Sequence, residues 1–98
     1  MNLEKLFGSK TKVDILKYLI FRRRGVSMRA LETEIWWTFP AIKKQVDSLN
    51  EAGVLGVEKE HTWWVITIYP PLLPLFKELF FEDLKQNLVT LFEKQQHQ

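Results

Sequence analysis

From the N-terminus the apolar residues first recur at helical spacing. Leu3, Leu6 and Phe7 form a short amphipathic start that Gly8 breaks, and Ser9 can cap a helix carrying Val13, Leu16 and Ile20, flanked by Ile15 and Leu19. The run Arg22, Arg23, Arg24, Gly25 predicts the end of that helix, because cations favour the negative end of a helix dipole and glycine readily takes the left-handed stop. Ser27 then caps a short second helix with Met28, Leu31 and Ile35 on one face. A turn around Trp36 and Trp37 leads to Thr38, another cap, and Pro40 falls in a first turn where its missing amide would be unpaired anyway. Ile42, Val46 and Leu49 share the inner side of the third helix, which Gly53 closes.

After Val54 the period shortens to two. Leu55 and Val57, a polar stretch from Glu58 to Thr62, and Trp63 to Ile68 predict a two-stranded hairpin. Alternation puts Trp64, Ile66 and Ile68 on one face, expected to meet the core, and Trp63, Val65 and Thr67 on the other. Trp36 and Trp63 could pack together or form a partner surface, and core packing is the simpler role for the four tryptophans. Pro70 and Pro71 stop the second strand, and a stripe through Leu73, Phe76, Phe80, Leu84, Leu88 and Leu91 predicts one long helix with a frayed QQHQ tail. With no repeat or low-complexity linker, the expectation is one domain over residues 1–98, α+β and mainly α. Residues 1–69 supply a three-helix core and the hairpin, and residues 70–98 the C-terminal helix and tail.

Composition narrows the function classes. A chain of 98 residues, 46% apolar, makes one small domain. Such a domain buries roughly 60–70% of its unfolded surface, and a partner subunit would add to that modest stability. The absence of cysteine excludes disulfides, thiolate metal sites and thiol catalysis, and suits a cytoplasmic protein. The first residues lack a secretory pattern and no apolar run approaches the ~20 residues of a spanning helix, so no membrane partner is expected. His61 and His97 have no metal-ligand spacing, no glycine-rich phosphate cradle or G-x-S-x-G motif is present, and the carboxylates are scattered among lysines. Neither enzyme activity, metal nor cofactor is expected. Residues 1–64 hold 11 basic and 8 acidic side chains and residues 65–98 hold 3 and 4, so an anionic partner should meet the first two thirds.

Two helices joined by a tight turn and followed at once by a hairpin form the arrangement of a winged helix-turn-helix. The run ALETEIWWTFPAIKKQVDSLNEAGVL resembles the DNA-reading unit of small prokaryotic transcriptional regulators of the MarR and ArsR types, the ending SLNEAGVL especially. LFGSKTKVDILKYL is similar to their opening helix, so the likeness covers residues 6–68. It implies that Leu31, Ile35, Ile42, Val46 and Leu49 are buried, that Trp37 is the apolar turn residue, and that Arg29 clamps the DNA backbone. The family usually has a small residue, often glycine, where this chain has Trp36, which predicts a longer or differently bent turn and a tilted third helix.

A B-form major groove is about 12 Å wide and admits one α-helix, and the third helix is the candidate for insertion. With its apolar face inward, Pro40, Lys44, Asp47 and Glu51 point outward, with Phe39 and Lys43 on the flanks. Lys43 and Lys44 could neutralise phosphate or approach guanine, Thr38 could bond phosphate, and Gln45 could read adenine. Lys59 and His61 at the hairpin tip could follow a neighbouring groove. Against this, Lys43 and Lys44 stand at ion-pair spacing from Asp47, the arginines at 22–24 suit a helix end, and Glu58 and Glu60 nearly cancel the tip.

The last helix has more apolar circumference than its own domain needs, with Leu72, Leu75 and Leu79 beside the stripe of Leu73, Phe76, Phe80, Leu84, Leu88 and Leu91. A homodimer through this surface is expected, against the alternative of a helix that finishes the monomer's core. The leading expectation is a sequence-selective double-stranded-DNA-binding transcriptional regulator, a dimeric repressor. The alternatives are a winged-helix protein-interaction module and an assembly subunit that does not bind DNA.

Overall fold

The computed structural model describes residues 2–22, 25–60 and 63–96. Helices α1 (Leu3–Phe7) and α2 (Lys10–Leu19) lead to strand β1 (Val26–Ser27), then to α3 (Met28–Glu34) and α4 (Phe39–Glu51). Strands β2 (Leu55–Glu60) and β3 (Trp63–Ile68), a 3-10 turn over Pro70–Leu72 and the long helix α5 (Leu73–Gln96) complete an α+β architecture that is mainly helical.

Side-chain caps set the helix starts. Oxygens of Asn2, Ser9, Ser27 and Thr38 accept from the amides of Lys5, Lys12, Ala30 and Ala41 at 3.1–3.4 Å, and each such cap contributes about 1 kcal/mol. At the far end of α4, Gly53 takes φ +79° and lets the Val54 amide reach back to the Leu49 carbonyl at 2.9 Å.

The end of α2 departs from the expected position. The helix stops at Leu19, with Ile20 as its cap, before the arginine run. Arg22 still satisfies the negative helix end: its Nη1 donates to the Tyr18 carbonyl at 2.7 Å and its guanidinium lies 3.5 Å from the centre of the Tyr18 ring. Arg23 and Arg24 lie outside the described residues. Gly25 serves the entry into β1 instead of a helix stop, with φ +83° and its backbone pressed against β3.

The expected two-stranded hairpin is part of a three-stranded antiparallel sheet, ordered β1-β3-β2. Val26 pairs with Ile66 and Ser27 with Val65, while the β2–β3 ladder runs from Leu55↔Ile68 to Glu60↔Trp63. A two-residue strand is too short to show a period, and its partner lies 40 residues along the chain.

Ile15, Leu16, Leu31, Ile42, Val46 and Ile66 are fully buried where α2, α3, α4 and the sheet converge. Phe76 and Phe80 of α5 join this core, with the Phe7 ring 5.9 and 6.2 Å from theirs. Fully burying a side chain of this kind contributes about 1.5–3 kcal/mol. Phe76 and Phe80, expected at a dimer surface, are therefore consumed within the monomer, and Leu72, Leu73 and Leu79 are partly buried against the same core. Beyond Phe80 the large apolar side chains of the helix lie at the surface: Leu84, Leu88, Leu91 and Phe92 are more than half exposed, and the molecule measures 55 × 28 × 22 Å. No described helix is long and apolar enough to cross a membrane.

Trp64 is a second correction. It shares a face with buried Ile66 and Ile68, as alternation requires, yet it is 50% exposed. Trp64 instead meets its ladder partner Lys59, whose Nζ stands 5.7 Å from the ring centre.

Candidate nucleic-acid interface

The surface around α4 is built on a turn, residues 35–38, that holds α4 against α2 and α3. The Ile35 amide closes α3 on the Leu31 carbonyl at 3.0 Å, and Ile35 itself is extended. Trp37 is half-buried against the core and its Nε1 donates to Asp14 Oδ2 on α2 at 2.8 Å. Spacing alone could not have found that bond, because Asp14 lies 23 residues earlier. Trp36 is accommodated by turning its side chain wholly into solvent, at 101% exposure, so it packs on neither Trp63 nor the core.

On α4, Ile42, Val46 and Leu49 are buried as the helical period requires. Phe39, Pro40, Lys43, Lys44, Asp47 and Glu51 are exposed, and Gln45 is intermediate, on the flank. Lys43 Nζ holds Asp47 Oδ2 at 3.0 Å, with both side chains more than half exposed. Such a pair is worth less than about 1 kcal/mol and can open to a competing anion. Among the described residues, Lys44 makes no ion pair. Thr38 Oγ1 accepts from the Ala41 amide, which leaves its hydroxyl proton available to an acceptor.

The remaining candidates are dispersed around this helix. Arg29 is exposed at the start of α3, and Lys59 lies on the hairpin over Trp64. His61 lies outside the described residues. Two cations on α4 stand against two carboxylates on the same outer face, so the face presents a protruding apolar leading end, Trp36, Phe39 and Pro40, followed by a nearly balanced charged stretch. No group of acidic or histidine side chains among the described residues could hold a metal ion.

A second surface was not apparent from the pattern. Phe21, directly after the last periodic residue of α2, is 67% exposed and meets Phe81 edge-to-face at 6.5 Å. With Lys17, Ile20, Phe80 and Leu84 these rings line an apolar groove of about 230 Å³ between the end of α2 and α5. The doubled phenylalanine at 80 and 81 was its available signal: one ring faces inward at Phe80, and the next stands about 100° round the helix.

No protein-family model matches the chain, and no curated protein or solved structure is detectably similar to it.

Proposed function

We propose that this chain is a winged helix-turn-helix regulator of transcription that binds double-stranded DNA sequence-selectively, as a dimer, and represses by occluding its site. The observation that carries this reading is α4: thirteen residues whose outward side chains at the leading end, Phe39, Pro40, Lys43 and Lys44, are exposed. A helix so exposed fits the major groove. The α3–turn–α4 order followed by the β2–β3 hairpin supports the winged assignment. In this reading Lys44 and Lys43 meet phosphate or guanine, Phe39 meets a thymine methyl, Thr38 and Arg29 hold the backbone, and Gln45 and Lys59 reach the edges of the site. Two copies would address groove faces about 34–36 Å apart on a pseudo-palindrome.

Titration of duplex DNA at several salt concentrations tests it, since log affinity falls with log salt at roughly 0.9 per phosphate neutralised. Replacing Lys43 and Lys44 together by alanine should weaken binding and lower that slope by about 2. Unchanged affinity would discard these lysines as contacts, and binding indifferent to salt would discard the groove reading. The Lys43–Asp47 pair and the bare Trp36 favour a second reading, a protein-interaction module that presents its apolar leading end to another protein. Under that reading DNA is not bound at all.

A further inference from the structure

The outer half of α5 carries large apolar side chains that its own monomer leaves about half exposed. Phe81, Leu84, Leu88 and Leu91 are 48–57% exposed, and Phe92 beside them 61%. Their spacing is 3, 4, 3, so they form one seam of the kind two packed helices share. This seam lies about 80° round the helix from the Phe76–Phe80 face, at 100° per residue, so it points past the globule and not into it. At its inner end it opens into the groove lined by Ile20 and Phe21.

We infer that the occupant of this seam and groove is the same segment of a second copy, running antiparallel, with Phe81 against Leu91 and Leu84 against Leu88 of the other copy. The inference rests on the dimeric reading above and specifies its surface. Three observations carry it. The 3, 4, 3 spacing reads identically in both directions, so one antiparallel register matches all four seam residues in both copies at once, as a two-fold interface demands.

Charge supplies the direction. Residues 73–83 of α5 carry one basic and three acidic side chains, residues 84–96 two basic and one acidic, so the antiparallel arrangement brings unlike halves together and opposes the helix dipoles. A parallel pair would set acidic half on acidic half.

Area supplies the extent. The exposed parts of Phe21, Phe81, Leu84, Leu88, Leu91 and Phe92 sum to roughly 700 Å² per copy, close to the ~800 Å² each partner gives to a stable interface. The antiparallel register carries the outer turn with Leu91 and Phe92 to the groove beside Phe21, covering both features together.

Because the natural chain has no cysteine, engineered thiols report the register directly. Full-length Phe81→Cys and Leu91→Cys proteins, oxidised as a mixture, should form a disulfide-linked dimer that neither forms alone. Leu84→Cys mixed with Leu88→Cys should behave likewise, which guards against one pair failing through local geometry or folding. Both pairs lie on exposed positions, so circular dichroism should match the natural chain. Self-linking of each variant alone would overturn the antiparallel arrangement. A dimer in sedimentation that yields neither mixed disulfide would overturn the register while leaving dimerisation intact, and a monomer at micromolar concentration would overturn both.

Discussion

Gly25 shows how one missing side chain can fix a junction. Its φ of +83° is strained for any other L-residue, and a Cβ built there would lie 2.5 Å from Thr67 Cγ2, 2.9 Å from Val65 Cγ1 and 3.0 Å from the Ile66 carbonyl oxygen. The oxygen belongs to the strand that holds β1, so the contact cannot be relieved by rotating a side chain. Gly53 supplies the internal control: its φ is +79°, but nothing lies within 4 Å of the added carbon. Both alanine variants therefore carry left-handed strain of about 1–2 kcal/mol, and Gly25→Ala alone adds overpacking of about 1–3 kcal/mol. Urea unfolding should give a lower midpoint for Gly25→Ala than for Gly53→Ala at similar slope. Equal midpoints would mean that β1 is not held as tightly against β3 as the geometry indicates.

At the scale of elements, the Trp37–Asp14 hydrogen bond ties the α3–α4 turn to the distant helix α2. Trp37→Phe keeps an aromatic ring in the half-buried site but deletes the donor to Asp14 together with part of the indole's packing area, so it should cost at least about 1–2 kcal/mol, the contribution of a hydrogen bond to a charged group. Asp14→Ala should cost a similar amount. If the bond is the shared cause, the double variant should cost little more than either single one, a coupling of about 1 kcal/mol or more in the cycle. Additive losses would assign Trp37 to apolar packing alone. This bond illustrates where sequence reasoning ends. The helices were legible because caps at Ser9, Ser27 and Thr38 and the period of Val13–Leu16–Ile20 or Ile42–Val46–Leu49 are local signals. The Asp14–Trp37 bond, the strand Val26–Ser27 and the exposure of Trp64 depend on what the rest of the chain brings alongside, and no local period encodes that. The division of α5 was half legible: one stripe runs its whole length, but the turn at which the globule ends decides that Phe80 is core and Leu84 is surface. For the candidate interface, the outward positions of α4 followed from its period, whereas Lys43 being held by Asp47 and Lys44 having no ion pair among the described residues required coordinates.

For the whole molecule, the proposed dimer and the proposed DNA binding would be linked through effective concentration. Once one α4 of a dimer occupies a half-site, the second is held near its own, and linked binding of this kind commonly gains about 10²–10⁴-fold over a single site. Leu88→Glu separates that linkage from folding, because Leu88 is 57% exposed and lies outside the monomer's core cluster. Substitutions at such surface positions usually move monomer stability by about 0.5 kcal/mol or less. A carboxylate at position 88 of each copy, set against the other copy's Leu84 in an apolar seam, by contrast opposes dimerisation through desolvation. The natural chain should unfold at a temperature that rises with protein concentration, since association stabilises the folded form by mass action, and the Leu88→Glu chain should not. On DNA, the variant should lose at least about tenfold in affinity for a two-half-site duplex and stay near the natural chain on a single half-site. Equal affinities on both duplexes would detach α5 from DNA recognition, and a variant that fails to fold would show that the outer half of the helix belongs to the monomer after all.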